Sequence, residues 1–117
     1  MIGLSVASLN FASGKPNRFA LHDLGAATAT LALEAVALGL QIHQMGGIFP
    51  DKGREIFGVP EGHEVVAGIA LGYPGEPHAL PDNLREREVQ PRQRKPASEF
   101  VFSGHWGKAA PLLAPKD

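Results

Sequence analysis

The most extended regular pattern in the chain is a proline-free, alanine-rich stretch over residues 19–38. Its larger apolar residues recur every three or four positions, which predicts an α-helix. Only His22, Asp23 and Glu34 interrupt its apolar character. A helix that is apolar nearly all round is expected to be buried. Because one small domain cannot cover such a helix completely, we predict a partner subunit against it. Gly39 fits the position just past the helix end.

Shorter patterns predict the elements around this helix. Residues 2–9 are typical of a short strand, and residues 41–44 of a short strand or an extended connection. The near-continuous apolar run over 65–71 predicts a strand buried on both faces. Turn-forming residues over 10–18 predict a loop. Residues 50–57 begin with Pro50 and are followed by Gly58. Proline in the first turn and glycine just past the end predict a short helix.

The second half of the chain has weaker patterns. Glycine and proline over residues 72–80 predict a loop, and Asp82 is predicted to cap a short helix over 83–88. Residues 91–96 form an extended basic stretch, and the alternation over 99–102 predicts an edge strand. The tail over 107–117 is predicted to be loose. Together these elements predict a single domain over residues 1–117 of the α+β class, with a short mixed or antiparallel sheet, one long buried helix and small flanking helices.

Composition excludes several classes of protein. Of the 117 residues 44% are hydrophobic and 20% are charged, so disorder throughout is excluded. The formal charge of −1 gives no reason to expect nucleic-acid binding. The absence of cysteine excludes disulfides and thiolate metal sites, and the five histidines never stand three or four apart, so no metal site is predicted. No apolar run has the length of a membrane span, and a cytoplasmic location is expected.

The first candidate site is the segment Gln44-Met45-Gly46-Gly47, which follows a predicted strand. Adjacent glycines allow the backbone to approach a flat ligand closely, because no Cβ stands in the way. The alternative is an ordinary tight turn, in which paired glycines are common. The chain has no nucleophile elbow and no paired-histidine motif, so no catalytic side chain is predicted. Any chemistry is expected to come from a bound cofactor.

The second candidate site is basic. Arg92, Arg94 and Lys95 supply the charge-assisted donors that suit phosphate. In an extended segment residues two apart point to the same side, so Arg92 and Arg94 could converge on one anion. The alternative is a solvated basic loop beside Arg85 and Arg87.

Four stretches, in order and in register, resemble the C-terminal half of the nitroreductase family of flavoproteins. They are residues 21–40, the segment Gln44-Met45-Gly46-Gly47-Ile48, residues 57–66 with 69–74, and residues 91–96. The resemblance implies a partial nitroreductase-like fold. The N-terminal half of the family fold, with an arginine-rich stretch that helps to hold the flavin phosphate, has no counterpart in this sequence. In the family the cofactor is FMN, which implies that residues 44–47 run along the flavin ring and that Arg92, Arg94 and Lys95 meet its phosphate.

The resemblance also implies a function. It is that of an FMN-dependent oxidoreductase that passes electrons from NADH or NADPH to a nitro compound, a quinone or a similar small acceptor, working as a homodimer. The alternative is a non-catalytic dimer that binds flavin weakly or not at all, since half of the fold is missing. A third interpretation, independent of the resemblance, is a small anion- or nucleotide-binding module that uses the basic stretch alone.

Overall fold

The computed structural model describes residues 1–113. The packing of its backbone divides the chain into two compact units, Met1–Gly75 and Glu76–Asp117. Residues 114–117, the end of the predicted loose tail, lie outside the described residues. The single domain expected from the sequence stays a prediction.

The first unit is built on a three-stranded antiparallel sheet. Its strands are β1 (Ile2–Ser8), β2 (Gln41–Met45) and β3 (His63–Gly72), in the order β1-β3-β2. All three strands were predicted, and the α+β class is confirmed. Gly68 and Ile69 point to opposite faces of β3, and both are buried, as predicted. Val66 is instead 39% exposed. Val66 has no partner on β1 because the register shifts there, and such an extra residue bends a strand out of its ladder.

The long predicted helix is α1, Ala20–Ala37. It ends through two backbone hydrogen bonds, from Gly39 N to Val36 O at 3.0 Å and from Leu40 N to Ala35 O at 2.8 Å. This pairing requires left-handed backbone at the residue after the cap, and Gly39 has a φ of +74°. The glycine stop predicted from the sequence is confirmed.

The second helix is α2, Pro50–Phe57, with proline in its first turn and Gly58 in the left-handed conformation at its end, as predicted. Its connection to β3 is held by the Arg54 guanidinium, which donates to the backbone carbonyls of Val59, Pro60 and His63. One charged side chain therefore satisfies three carbonyls of a turn that has few other partners.

The two helices pack on opposite faces of the sheet. Gln44 Nε2 donates to a backbone carbonyl of α1 at 3.3 Å. A Cβ built on Gly53 of α2 would lie 3.3 Å from a methyl group of Leu4. Leu4, Gly68 and Met45 are aligned across the sheet, so Met45 shares the α2 face with Leu4. Successive side chains on a strand alternate, so Gln44 lies on the α1 face.

Helix α1 is long, as predicted, but its described neighbours bury only Ala20 and Ala35. The sheet covers one side of the helix and leaves the other open. Leu33 and Val36 are 75% and 67% exposed on it. The burial expected from the sequence is thus not provided by the described residues.

Over residues 76–113 the second unit contains one α-helix, α3 (Asp82–Glu88), and short 3-10 turns. The predicted cap by Asp82 is wrong: Pro81 precedes the helix without a side-chain cap, and the Asp82 carboxylate instead accepts from Arg85 at 2.7 Å. The predicted edge strand over 99–102 is also wrong. The amides of Phe100 and Val101 both donate to Ala97 O, which coils this segment into a turn.

The described part of the predicted loose tail, residues 107–113, makes several backbone hydrogen bonds. Lys108 O accepts from Ser103 N at 3.0 Å, and Ala110 N donates to Val101 O at 3.1 Å. Ala110 is only 5% exposed. This stretch is therefore held against residues 101–103 of the same unit.

Candidate functional site

The glycine pair lies at the end of β2, on an edge of the sheet, where the chain turns toward α2. Ile48 N donates to Gly46 O at 2.9 Å, closing a three-residue turn. Gly46 and Gly47 are both exposed. Within residues 1–113 the Gly47 N–H donates to no backbone or side-chain acceptor. The turn therefore presents a backbone donor that is open to a ligand.

Neither glycine is required by the conformation of its own backbone. Gly46 and Gly47 do not have positive φ, in contrast to Gly39 and Gly58. A Cβ built on either of them would meet no described atom within 4 Å. The segment does form the tight turn of the alternative interpretation, but the conformation of this turn does not require glycine. What the missing side chains provide is open space beside an exposed stretch of backbone.

The other two residues of the segment point to opposite faces of the sheet. Gln44 Nε2 donates to Thr28 O of α1, so its amide ties β2 to the helix. Met45 is half-buried on the α2 face, where its carbonyl and methyl group lie beside Gly68. Of the predicted segment, the backbone of the two glycines is thus the part most open to a ligand.

The predicted basic stretch lies in the second unit. Arg92, Arg94 and Lys95 are exposed on a segment without regular secondary structure. Arg94 donates to the carbonyl of the adjacent Gln93 at 2.8 Å. Among residues 1–113 a salt bridge joins Arg85 to Asp82, and the Glu76 carboxylate lies beside His78, so neither contact involves this stretch. Within these residues no acidic side chain is paired with its three positive charges.

One residue near the glycine pair was missed by the sequence analysis. Gly68 lies on the central strand, and a Cβ there would stand 3.0 Å from the Cγ2 of Ile48. The only signal in the sequence is a glycine inside an apolar strand, which can mark a close approach of another chain segment. Trp106, the single tryptophan of the sequence, is 93% exposed and packs edge-on against Phe102, with ring centroids 5.1 Å apart.

The described part of the chain contains neither a metal-binding cluster nor a membrane-spanning helix. Residues 1–113 contain no cluster of three or more histidine or acidic side chains able to hold a metal ion. No helix within the same residues has the length and apolar character to cross a membrane.

The order of elements and the glycine segment match a known family. The profile of the nitroreductase family matches residues 4–73, which include most of β1 and all of α1, the glycine pair, α2 and β3. The chain belongs to the nitroreductase family.

Individual relatives agree with this assignment. An uncharacterized 15.4 kDa protein from the ask 5′ region of Mycolicibacterium smegmatis is 40% identical over 90 residues, which is 77% of this chain and 60% of that protein. The crystal structure of an oxidoreductase containing FMN is 38% identical with a TM-score of 0.75, and the match covers 90% of this chain and 52% of that one. The chain thus spans between half and two thirds of these relatives.

A more distant structure shares the fold. The NADPH:FMN oxidoreductase from Vibrio harveyi, complexed with NAD+, is 20% identical with a TM-score of 0.61, and the match covers 91% of this chain and 41% of that one. The small antiparallel sheet with its helices is thus found in a flavin oxidoreductase at low sequence identity.

Proposed function

We propose that this chain is the flavin-contacting part of a nitroreductase-like oxidoreductase that uses FMN. The observation that carries the proposal is the glycine pair at residues 46–47, whose missing side chains serve neither the backbone conformation nor the packing of the described residues. A flat ligand against this backbone is a physical reason for them. Support comes from the 38% identical oxidoreductase that contains FMN.

Each of the two units, taken by itself, carries groups of the kind that such a cofactor binds. The free Gly47 N–H is a donor that could stabilise negative charge on a reduced flavin ring. The unneutralised charges of Arg92, Arg94 and Lys95 suit the flavin phosphate. When bound, FMN would supply the hydride and electron transfer that no side chain of this protein offers. The proposed donors are NADH or NADPH, and the proposed acceptors are nitro compounds, quinones or similar small molecules.

The proposal includes an assembly. A second copy of the chain would cover the exposed side of α1, which carries Leu33 and Val36. The homodimer is therefore part of the proposed function. We propose separately that the protein is cytoplasmic.

The phosphate site can be tested by comparing FMN with riboflavin, which has the same ring but no phosphate. The double variant Arg92→Ala/Arg94→Ala should weaken FMN by about a hundredfold, because each lost charge-assisted contact costs on the order of 1.5 kcal/mol or more. Riboflavin binding should not change. The matched control is Arg85→Ala/Arg87→Ala, which removes two charges from α3 in the same unit. Equal losses for both ligands would reject the phosphate role.

A second candidate function is a non-catalytic dimer with weak flavin binding. The observation in its favour is that the match covers only 52% of the oxidoreductase that contains FMN. Contacts made by the remainder of that protein are not available from the 117 residues. Losing two charge-assisted contacts would weaken FMN by about a hundredfold.

Flavin titration of the purified chain, followed by fluorescence quenching, distinguishes the two candidates. FMN could bind weakly to the chain alone and tightly once the unmatched part of the 38% identical oxidoreductase is added as a separate polypeptide. That result would favour a chain that needs further contacts to hold flavin. Tight, stoichiometric FMN binding with rapid reduction by NADPH would reject the non-catalytic candidate.

A further inference from the structure

Gly68 is in unusually close contact with the segment that follows the glycine pair. It is buried on the central strand β3, opposite Met45 of β2. A Cβ built there would lie 3.0 Å from Ile48 Cγ2, 3.6 Å from Met45 Cε and 3.9 Å from Met45 O. The first of these distances is shorter than an ordinary van der Waals contact. Ile48 therefore sits in the space that a side chain at position 68 would occupy.

Ile48 has little freedom to move away from that space. Its Cγ2 is attached directly to Cβ, so its position is set by the backbone and by a stiff χ1 angle. The Ile48 N–H also donates to Gly46 O at 2.9 Å, which couples its backbone to the glycine pair. A displacement of Ile48 would thus be transmitted to residues 46 and 47, where the absence of side chains leaves the backbone easiest to deform.

We propose that Gly68 is a positioning residue: its missing side chain seats Ile48 and thereby sets the course of the backbone at Gly46 and Gly47. The consequence for flavin binding rests on the proposed function, whereas the effect on the backbone does not.

Other glycines of the first unit provide the contrast. A Cβ on Gly72, at the end of the same strand, or on Gly3 of β1 would meet no described atom within 4 Å. A Cβ on Gly53 would meet the tip of the flexible Leu4 side chain at 3.3 Å, which can turn aside. Only at Gly68 does the neighbour belong to the turn that carries the glycine pair.

The backbone effect is tested by amide NMR spectra of the full chain. Gly68→Ala should shift the Gly46 and Gly47 resonances, whereas the matched control Gly72→Ala should not. Adding Ile48→Ala removes Cγ2 and should largely cancel the effect of Gly68→Ala. Adding Ile48→Val keeps a γ-methyl group and should not cancel it. Unmoved glycine resonances in Gly68→Ala, or shifts that persist in the variant with Ile48→Ala, would overturn the positioning role.

A variant that fails to fold does not prevent the test. If Gly68→Ala does not fold, the double variant Gly68→Ala/Ile48→Ala, in which the contact is relieved, should fold again, whereas Gly68→Ala/Ile48→Val should not. A Gly68→Ala/Ile48→Ala variant that stays unfolded would overturn the proposal.

The flavin effect is measured separately by FMN titration. Gly68→Ala should weaken FMN by about tenfold, the equivalent of one impaired hydrogen bond, and Ile48→Ala should restore it in the double variant. Moved glycine resonances with unchanged FMN affinity would overturn the link to flavin. If the wild-type chain binds no FMN under any condition, the proposed function fails, and the NMR comparison still decides the positioning role.

Discussion

At the scale of single residues, the glycines fall into groups with different physical reasons. Gly39 and Gly58 have positive φ and end helices. Gly68 avoids a close contact with a neighbouring segment. Gly46 and Gly47 meet neither condition. This lack of an internal reason is shared by Gly3, Gly25, Gly72 and Gly75. Gly46 and Gly47 differ from them in being adjacent and exposed, with a Gly47 N–H that has no acceptor within residues 1–113, and for this reason we place the ligand there.

The prediction at this scale is that Gly47→Ala separates stability from binding. Where the native backbone accepts alanine, the change should leave stability unchanged or raise it by about 0.5 kcal/mol, because the unfolded chain loses freedom. FMN binding should weaken, since the new methyl group enters the open space. Urea unfolding and flavin titration measure the two effects.

The matched control for that prediction is Gly39→Ala. The φ of +74° at Gly39 is unfavourable for alanine, so this variant should lose about 1 kcal/mol of stability and retain its FMN affinity. If Gly47→Ala destabilised the fold as much as Gly39→Ala, or bound FMN as wild type does, the ligand explanation of the pair would be wrong.

At the scale of elements, the connection from α2 to β3 depends on one side chain. Arg54 donates to Val59 O at 3.1 Å, to Pro60 O at 2.9 Å and to His63 O. The α2 helix begins shortly after the glycine pair and packs on the sheet through Gly53. Its anchoring therefore bears on the geometry of the candidate site as well as on stability.

We expect Arg54→Met to lower the free energy of unfolding by about 2 kcal/mol, because hydrogen bonds to charged groups contribute roughly 1.5–3 kcal/mol and Arg54 is only partly buried. Arg54→Lys should recover part of this loss, since one ammonium group cannot reach all three carbonyls. Urea unfolding is the measurement.

Glu55→Met, an exposed change on the same helix, is the control and should cost less than about 0.5 kcal/mol. Equal unfolding midpoints for Arg54→Met and Glu55→Met would show that the three carbonyls are satisfied without the guanidinium.

At the scale of the whole molecule, the outer side of α1 exposes apolar side chains that the described part of the chain does not bury. It carries the exposed apolar residues Leu33 and Val36 one helical turn apart. Burying apolar area contributes about 25 cal/mol per Å². An apolar helix face of this kind favours association with another surface, and a second copy of the chain is the partner in our proposal.

We therefore predict a stable dimer or larger complex at micromolar concentration, measured by sedimentation. Leu33→Lys/Val36→Lys should shift the chain toward monomer, because two charges would have to be buried at the interface. Glu61→Lys changes the net charge by the same amount at an exposed turn and is the control. A well-folded wild-type monomer would contradict the assembly.

The sequence by itself determined the elements whose signals are local. The strands, α1 with its glycine stop, and α2 between Pro50 and Gly58 were all predicted, because side-chain periodicity, proline and left-handed glycine act within a few residues. Local signals failed at Asp82, where a proline took the cap position, and over 99–102, where hydrogen bonds to Ala97 O replaced a strand.

Only the tertiary structure decided which residues the glycine pair depends on. The approach of Ile48 to Gly68 joins positions far apart in the chain, and the Gln44 amide is committed to Thr28 O of α1. Such contacts depend on strand register and on which face each side chain takes. The same holds for the glycines at 46 and 47: their lack of an internal reason is visible only when all neighbouring atoms are placed.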